Sequence, residues 1–247
     1  MYYWDVNRRQ RIKTVLKIIV EKFFSSMSID ILTKSDHSIN GLQPFVREFF
    51  LRQSHGVLHL GAHEGQEART YALLAKPVIW IEAIPVHFKR LQEHIEQFKN
   101  QTALNALLDS RCHSSREFFI TSNNGESSSI FPLAGNQYWL GLENTEVSEL
   151  PSMRLDCIVS EQQLQGFDYW IVDVQGAEIE VLVGAGNLLS LCKYLQVEIS
   201  QEEFYQGGAQ FVDLRDFLKS KSFFPLWLPT HSHEEIIFVN TNLMAVH

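Results

Sequence analysis

A glycine-containing turn and a carboxylate downstream of it are the first residues whose types and spacing point to chemistry. Gly61–Gly65 follows the apolar run Val57–Leu60 and precedes a stretch with helical spacing, so it joins a predicted strand to a predicted helix. Glycine permits a tight turn and the close approach of a ligand to the backbone. Glu82 ends the next predicted strand, 21 positions after Gly61, where a carboxylate accepts hydrogen bonds from both hydroxyls of a ribose. The turn and the carboxylate together predict an adenosine-binding site.

The charge around the turn favours one adenosine cofactor over another. A dinucleotide seats its pyrophosphate on a G-x-G-x-x-G turn, but this turn reads G-x-x-x-G, with Glu64 and Glu67 where the anion would lie. Two carboxylates repel a pyrophosphate and tolerate a sulfonium with its amino-acid tail. We therefore expect S-adenosylmethionine rather than NAD. The residues predicted to hold it here are Gly61, Ala62, His63, Glu64, Gly65 and Glu82.

Two histidines near the turn raise the alternative of a zinc site. His59, His63 and Glu64 superficially resemble the HExxH motif. Position 67 is Glu rather than His, and the strand-like run before His63 breaks the helical register that the motif needs. We therefore expect His59 to be a strand residue hydrogen-bonded beneath the turn, and zinc is disfavoured.

Two further carboxylates, Asp173 and Glu198, end neighbouring predicted strands, whose carboxyl ends face the ligand crevice in open α/β sheets. Methyl transfer to an alcohol requires that its proton be removed or its pKa be lowered by a metal. In one mechanism Asp173, or a histidine from the pair His231 and His233, takes the proton. In the other, Asp173 and Glu198 hold Mg²⁺, which binds the acceptor oxygen. Both remain open, with a slight preference for the metal-free version. Two alternatives without a catalytic role also remain. Glu198 would then be a carboxylate at the edge of the core, and the two histidines would lie in a solvated turn.

A polar segment between the strands predicts contacts to the acceptor. The candidate residues are Asn123, Asn124, Ser127, Ser128, Ser129 and Gln175. Their short donors and acceptors suit a sugar-like acceptor, although a flexible linker explains the segment equally simply, and Gln175 is better suited to shaping its turn. Tyr138 and Trp139 in the same excursion are candidates for an apolar wall or a stacking platform over the acceptor.

Strands and helices alternate along the chain, which predicts βαβ crossovers and a mostly parallel sheet. The predicted strands are Val57–Leu60, Val78–Ile81, Thr102–Leu108, Phe118–Thr121, Asp168–Asp173, Tyr194–Ile199, Phe223–Leu228 and Ile236–Asn240. The predicted helices are Ala68–Ala75, Val86–Lys99, Ala177–Gly184 and Phe211–Ser220. The last two strands are separated by a short loop, which predicts an antiparallel hairpin at one edge. The excursion that ends near Pro151 is loop-rich and lies where an active-site insertion is expected.

Length and composition agree with one α/β domain. A chain of 247 residues with 45% hydrophobic and 20% charged residues buries a sizeable core without disulfides or a structural metal. The net charge of -8 argues against a general nucleic-acid binder, and no apolar run is long enough to span a membrane. Cys112, Cys157 and Cys192 are widely spaced without a CxxC pair, which favours reduced thiols and a cytoplasmic protein.

The N-terminal region predicts a helical extension over residues 1–53, ahead of a catalytic domain over 54–247. Apolar residues recur at helical spacing between Ile12 and Phe24, with lysines between them. The simplest interpretation is an extension that packs on the domain or on a partner subunit, which leaves a homodimer open. A membrane-surface anchor is the alternative. A second helix is expected from Pro44, a residue favoured at the first helical position.

With these residues in place, the chain resembles the FkbM-type methyltransferases, a Rossmann-like family of O-methyltransferases. The matching segments are Val57–Glu67, Trp80–Pro85, Gly125–Ile130 and Asp173–Leu182. The last segment, Asp-Val-Gln-Gly-Ala-Glu at its start, is the most specific, because it follows a strand and opens a helix as the family requires. The resemblance runs from about Gly56 to Asn240 and implies a class I methyltransferase fold with a mostly parallel seven-stranded sheet.

The resemblance also implies roles for particular residues. It implies that Gly61–Gly65 holds the methionine moiety, that Glu82 binds the ribose, that Leu107, Leu108 and Asp109 flank the adenine, and that Asp173 with Val174 lies beside the transferring methyl. Members commonly carry Asp where this chain has His59. The expected activity is O-methyl transfer to a hydroxyl of a small-molecule or carbohydrate-like acceptor. The alternatives are an NAD-dependent oxidoreductase and a non-catalytic adenosine-binding protein.

Overall fold

The structure is a computed structural model that describes residues 43–135 and 141–244 of the chain. The predicted helix at Ile12–Phe24 and the aromatic pair Tyr138 and Trp139 lie outside the described residues. The chain divides into two units, Met1–Leu51 and Arg52–His247, and all the strands described below belong to the second unit.

The elements follow the alternation predicted from the sequence. The described helices are α1 (Gln43–Gln53), α2 (Ala68–Leu73), α3 (Pro85–Ile95), α4 (Leu155–Ile158), α5 (Glu161–Leu164), α6 (Glu178–Gly184) and α7 (Phe211–Ser220), with a 3₁₀ segment at Gly186–Leu191. The strands are β1 (Val57–Leu60), β2 (Val78–Glu82), β3 (Gln101–Asn105), β4 (Leu107–Leu108), β5 (Ser114–Thr121), β6 (Asn144–Met153), β7 (Tyr169–Val172), β8 (Tyr194–Ser200), β9 (Phe223–Pro225) and β10 (His233–Asn240). β1, β2 and β7 are buried along their whole length, as parallel strands covered on both faces must be.

The main sheet has seven strands in the order β3-β2-β1-β7-β8-β10-β9. The first five of these are parallel, and β10 runs antiparallel to both β8 and β9, so the predicted sheet and its edge hairpin are confirmed. The chain runs outward from β1 through β2 to β3 and returns on the other side of β1 with β7 and β8. Ligands of open α/β sheets bind where the strand order reverses in this way. The crevice is therefore expected between the ends of β1 and β7.

A second sheet of three strands, in the order β4-β6-β5, corrects two sequence predictions. The predicted strand Thr102–Leu108 is two strands, since the chain turns at Ala106, whose N–H donates to the carbonyl oxygen of Glu82. The excursion predicted as loop-rich contains β6, which pairs antiparallel with β5. Most side chains of β6 are exposed, so the strand lacks the apolar alternation that reveals a strand in a sequence.

A disulfide joins Cys112 to Cys157, and the prediction of three reduced cysteines was therefore wrong for this pair. Cys112 lies just before β5 and Cys157 lies in α4 just after β6, so the β5–β6 pairing brings them together. The sequence did not reveal β6 and so gave no reason to expect the contact. Cys192 is a buried free thiol, and burial raises its pKa.

Candidate active site

The turn after β1 meets the end of β7 so closely that only glycine fits at position 61. Gly61 has φ +84, and a Cβ atom there would lie 1.7 Å from the carbonyl oxygen of Asp173. The N–H groups of Gly61 and Ala62 donate to the carbonyl oxygen of Ile81 at 3.0 and 3.1 Å. The turn is therefore held between β2 on one side and β7 on the other.

Glu82 is buried at the end of β2, with 6% of its surface exposed, and burial raises its pKa. Its Oε2 accepts the N–H of His63 and its Oε1 accepts the N–H of Ile84, both at 2.7 Å. Each carboxylate oxygen keeps a second lone pair. Glu82 also lines a narrow cavity beside the turn, where its carboxyl oxygens could accept hydrogen bonds from a bound ligand.

That narrow cavity, of about 70 Å³, has an apolar wall. The apolar side chains on it include Ile84, Leu107, Leu108, Phe118, Ile130 and Val174. Asp109, expected beside the adenine together with Leu107 and Leu108, does not line it. Its buried Oδ2 lies 3.3 Å from Nε of Arg116, and its Oδ1 accepts the N–H of Ser110 at 2.7 Å. The carboxyl of Asp109 is thus engaged with β5 and its own turn.

His59 lies beneath the turn that follows β1. Its ring is buried and stacked on Trp80, with 4.8 Å between ring centroids, and its Nδ1 lies 3.3 Å from the hydroxyl of Tyr71. Burial lowers the pKa of His59 to about 4, against which the charge of Glu67 acts only weakly. The imidazole is therefore neutral at pH 7.

Four polar side chains form a connected cluster at the ends of β7, β8 and β10. The side-chain amide of Gln175 donates to Oδ1 of Asp173 and to Oε2 of Glu198, both at 2.6 Å. Nε2 of His233 lies 2.8 Å from Oε1 of Glu198, and its Nδ1 lies 2.9 Å from Oγ of Ser200. Gln175 therefore joins Asp173 to Glu198, a pair that the sequence predicted to converge, and His233 joins the cluster through Glu198.

Burial and mutual charge decide where the protons of this cluster reside. Burial, and next the charge of Glu198, raises the pKa of Asp173 well above its usual range. Burial alone would also raise the pKa of Glu198, but the hydrogen bond and charge of His233 outweigh it and lower that pKa. The hydrogen bond to Glu198 raises the pKa of His233. These shifts favour a protonated Asp173, and an ionised Glu198 opposite a protonated His233.

His231, the other candidate from the Thr-His-Ser-His segment, lies apart from this cluster. Its side chain contacts Thr230 and Glu234, and it is 68% exposed. The sequence placed both histidines in a loop, but β10 begins at His233, three residues before the predicted strand start. Strand pairing sets His233 opposite Ser200, on the side of β8 that carries Glu198.

Tyr205 supports the cluster and was not predicted from the sequence. Its hydroxyl lies 2.6 Å from Oε1 of Gln175 and 3.1 Å from the carbonyl oxygen of Ser127. Gln175 has φ +58, and a Cβ atom on Gly176 would come within 2.8 Å of the Tyr205 ring. Glu178 was also missed; its Oε1 accepts the N–H of Gly176 at 2.9 Å, and burial raises its pKa to about 8. In the sequence, the signal for a role of Glu178 was its position in Asp173–Leu182, the segment with the most specific resemblance to the family.

A second and larger cavity, of about 480 Å³, lies over the cluster. Its lining includes Gly61, Ala62, His63, Gln66, Glu67, Asn123, Glu126, Ser127, Leu142, Asp173, Gln175, Glu198, Phe204 and His233. Asn123 and Ser127 thus lie where the sequence predicted acceptor contacts, and Ser128 lines the narrow cavity instead. Ser129 is buried and exchanges backbone hydrogen bonds with Phe119, whereas Asn124 offers its carbonyl oxygen to His63 at 3.3 Å.

Glu64, predicted to contact the cofactor, points away from both cavities. Its Oε1 accepts a hydrogen bond from Arg90 at 2.6 Å and lies 3.1 Å from Nδ1 of His87. His63, Glu64 and His87 are close enough to hold a metal ion, and no other group of three such side chains was found in the described residues. The ion pair with Arg90 already occupies the Glu64 carboxylate, which disfavours a cation there.

Comparison with known proteins decides the family. The family described as the methyltransferase FkbM domain matches residues 59–225, more than half of the chain. The chain belongs to the FkbM methyltransferase family. Among curated proteins it is similar to the 2-O-methyltransferase NoeI of Sinorhizobium fredii (strain NBRC 101917 / NGR234), with 25% identity over 176 residues, 66% of this chain and 71% of that protein.

Similar solved structures include two further methyltransferases. One is the S-adenosylmethionine-dependent methyltransferase from Aquifex aeolicus, with a TM-score of 0.45 and 12% identity over 83% of this chain and 94% of that chain. The other is magnesium protoporphyrin IX methyltransferase (ChlM) from Synechocystis PCC 6803, with a TM-score of 0.39 and 15% identity over 91% of this chain and 97% of that chain.

The site of this FkbM methyltransferase fits S-adenosylmethionine. The narrow apolar cavity with the Glu82 carboxyl suits an adenosine, and it meets the larger cavity at Gly61, His63, Glu126, Asp173 and Gln175. Because these residues line both cavities, a single ligand could extend from one cavity into the other. The chain is an S-adenosylmethionine-dependent methyltransferase. Of the described helices, none combines the length and the apolarity that crossing a bilayer demands.

Proposed function

We propose that this methyltransferase acts on a hydroxyl oxygen of a small, carbohydrate-like acceptor bound in the larger cavity. The observation that carries the proposal is the cluster of Asp173, Gln175, Glu198 and His233 on the wall of that cavity. A hydroxyl must lose its proton as it gains a methyl group, and the cluster contains an ionised carboxylate for that purpose. The distant relative NoeI, a 2-O-methyltransferase, supports oxygen as the acceptor atom.

Each member of the cluster has a distinct task in the proposed reaction. Bound S-adenosylmethionine supplies a methyl group on a sulfonium, so the acceptor O–C bond forms as the S–C bond breaks. Glu198 takes the hydroxyl proton, since the charge of His233 keeps this carboxyl ionised before the reaction. Asp173 keeps its own proton, and Gln175 fixes the positions of both carboxyl groups through its two N–H donors. Alignment of the hydroxyl oxygen with the methyl carbon and the sulfur supplies much of the remaining rate enhancement.

The position of Gln175 favours the metal-free version of this mechanism. Its Nε2 lies 2.6 Å from Oδ1 of Asp173 and 2.6 Å from Oε2 of Glu198. Hydrogen-bond donors therefore fill the space between the two carboxyl groups that a shared Mg²⁺ ion would need. We expect EDTA to leave turnover unchanged, whereas its loss on chelation and recovery with Mg²⁺ would establish the metal version.

The acceptor is proposed to be polar because Asn123 and Ser127 line the larger cavity beside the cluster. The Asn123 amide donates to Oγ of Ser127 at 2.9 Å, so the two form an ordered polar edge rather than a loose linker. A carbohydrate hydroxyl can replace either partner in such a pair at small cost. We propose Asn123 and Ser127 as the main acceptor contacts, and we rank Ser128, Ser129 and Asn124 below them.

The decisive experiment is methyl transfer from labelled S-adenosylmethionine to a panel of sugars and other polyols, followed by location of the label. Label on oxygen supports the proposal, and label on nitrogen or carbon rejects it. The pH profile then identifies the base: Glu198 predicts an acidic limb below pH 4.5, whereas a neutral His233 acting as base predicts a limb above pH 6.5. Asp173→Asn should retain cofactor binding while reducing turnover.

A further inference from the structure

One loop of the protein lines both cavities. Residues 122–130, called the shared loop below, directly follow β5. Gly125 and Ser128 of this loop line the narrow cavity, whereas Asn123 and Ser127 line the larger one. The position of the shared loop therefore shapes the space for the cofactor and the space for the acceptor.

The His63 side chain reaches the backbone of the shared loop from the turn after β1. Its Nε2 lies 3.3 Å from the carbonyl oxygen of Asn124. A carbonyl oxygen can only accept, so Nε2 carries the hydrogen of this bond. In the tautomer that this requires, Nδ1 accepts the side-chain amide of Gln66, which lies at 2.9 Å. The two bonds thus hold the ring between the turn and the shared loop.

Two residues next to His63 in space also contact the shared loop. The buried ring of His87 lies against the His63 ring, with 4.1 Å between the ring centroids. A Cβ atom on Gly125 would lie 3.0 Å from Nε2 of His87 and 3.1 Å from Cδ1 of Ile84. The backbone of the shared loop is therefore packed directly against these two side chains.

The Glu82 carboxyl connects these contacts to the cofactor site. Its Oε2 accepts the N–H of His63 and its Oε1 accepts the N–H of Ile84. One carboxyl thus holds two of the residues that contact the shared loop. Because Glu82 lines the narrow cavity, a ligand bound there contacts the group that positions both residues.

We infer that His63 is a positioning residue that couples the cofactor site to the shared loop, so that a bound cofactor orders the loop against which the acceptor binds. The His63 side chain belongs to a residue that lines both cavities, so a ligand that extends between them packs against it and restricts its rotation. The bond from Nε2 then restricts the backbone at Asn124 as well. A ligand shifts an equilibrium through such differential contacts.

The coupling has a consequence for the acceptor. Because coupling between two sites is reciprocal, an acceptor that contacts Asn123 and Ser127 strengthens the binding of the cofactor. This consequence rests on the proposed function, since it assumes that the acceptor occupies the larger cavity. The coupling of cofactor and loop does not depend on which atom of the acceptor is methylated.

Hydrogen exchange tests the coupling without an acceptor. Deuterium uptake is measured by mass spectrometry on peptides that cover 122–130, in the free enzyme and in the enzyme saturated with S-adenosylhomocysteine. We expect S-adenosylhomocysteine to slow exchange in the wild-type loop about fivefold, the equivalent of one neutral hydrogen bond. In His63→Asn the slowing should fall below about twofold, because the shorter side chain does not reach Asn124. Asn tolerates the φ of +45 at this position, so the turn itself is preserved.

His63→Gln is the rescue variant. Its amide nitrogen is as many bonds from Cα as Nε2 of histidine, so it can donate to the carbonyl oxygen of Asn124 and should restore the slowing. His113→Asn is the matched control, since His113 is an exposed histidine with φ +56 that lines neither cavity. The control should behave as the wild-type enzyme does.

Gln66→Ala tests the same bond from the other side. It removes the amide that holds the His63 ring and should also reduce the slowing, and it decides the question if His63→Asn does not fold. Slowing at the wild-type level in the folded variants, or no slowing in the wild-type enzyme, would overturn the inference. Because no acceptor is present, label on nitrogen or carbon in the transfer experiment rejects the proposed function and leaves these results unaffected.

Discussion

The two halves of the active site are held together by different kinds of contact. We define the proposed cofactor half as Gly61–Gly65 with Glu82, and the proposed acceptor half as Asp173, Gln175, Glu198 and His233. In the cofactor half, the hydrogen bonds run to the backbone: the turn donates to β2, and the Glu82 carboxylate accepts two N–H groups. In the acceptor half they run from side chain to side chain, since Gln175 donates to both carboxyl groups and His233 contacts Glu198.

This difference separates a half that is held by backbone groups from a half that is held by titratable side chains. Backbone donors do not change charge with pH, and the neighbouring His59 is kept neutral by burial. The acceptor half contains two coupled carboxyl groups and an imidazole whose protonation states depend on one another. Substitutions in the first half should therefore act on stability and cofactor binding, and those in the second on turnover and its pH dependence.

The largest expected effect is on turnover in Glu198→Gln. The amide cannot take a proton, and loss of a general base typically lowers kcat by about 10²–10⁴-fold. The Kd for S-adenosylhomocysteine should stay within about twofold of the wild-type value, because the cofactor half makes no contact with the removed charge. Glu202→Gln, an exposed carboxylate just beyond β8, is the control and should leave kcat unchanged. If Glu198→Gln retained its turnover, a residue other than Glu198 would be the general base.

The next effect is on stability in Gly61→Ala. The new Cβ would lie 1.7 Å from the Asp173 carbonyl oxygen, so the turn or β7 must move, at a cost of about 3 kcal/mol or more. Gly166→Ala is the matched control, with φ +86 and no atom within 4 Å of the added Cβ, and should cost about 1 kcal/mol. Chemical denaturation measures both. If the two variants lost equal amounts of stability, the close contact between the Gly61 turn and the end of β7 would not be rigid.

Two histidines should give opposite dependences of stability on pH. The folded-state pKa of His59 is lowered to about 4 from 6.5, so the unfolded chain binds the proton first and stability falls as pH falls through this window. The slope is at most about 1.4 kcal/mol per pH unit. The pKa of His233 is raised, so its contribution is present below pH 6.5 and is lost as pH rises through the folded pKa.

Variants at these two positions test the signs. His59→Phe should flatten the acid side of the stability profile, and His233→Gln should flatten the decline above pH 6.5, as measured by urea unfolding across pH. Slopes are compared rather than absolute stabilities, so a general loss of packing does not affect the outcome. An unchanged acid slope in His59→Phe would show that the ring is not held neutral in the folded protein.

The smallest effect concerns Tyr205, a positioning residue that acts through Gln175. Tyr205→Phe removes one hydroxyl whose contacts are 2.6 Å to Gln175 and 3.1 Å to the Ser127 carbonyl. A neutral hydrogen bond contributes about 1 kcal/mol, so kcat should fall about fivefold. A purely structural role would lower thermal stability without changing kcat at a temperature where the variant is folded. A fall in kcat with an unchanged KM for the cofactor supports positioning.

The cofactor half could be predicted from the sequence because its residues lie close together along the chain. The strand, the glycine turn and Glu82 lie within one stretch of chain, and β1 and β2 have apolar runs that fix their ends. Asp173 and Glu198 were also identified as candidates, since Asp173 directly follows a buried strand and Glu198 lies close to the end of another. Their assignment to particular catalytic tasks stays a prediction until the variants are measured.

The acceptor half was harder to predict from the sequence because it depends on contacts between segments that are distant along the chain. The register between β8 and β10 separates His233 from His231, and no local signal specifies that register. Tyr205 reaches Gln175 from a loop 30 residues away, and Gln175 itself was interpreted as a turn residue. The disulfide of Cys112 and Cys157 was missed for the same reason, since it depends on the pairing of β5 with β6.

The contact between Tyr205 and the loop that carries Asn123, Glu126 and Ser127 has a consequence for how acceptor range can change. The hydroxyl meets a backbone carbonyl, so any side chain at position 127 can satisfy it. Asn124 and Gly125 in this loop have positive φ values, and a Cβ on Gly125 would lie 3.0 Å from His87. If the loop contacts the acceptor as proposed, substitutions at Ser127 should change the acceptor preference and leave the Tyr205 contacts in place.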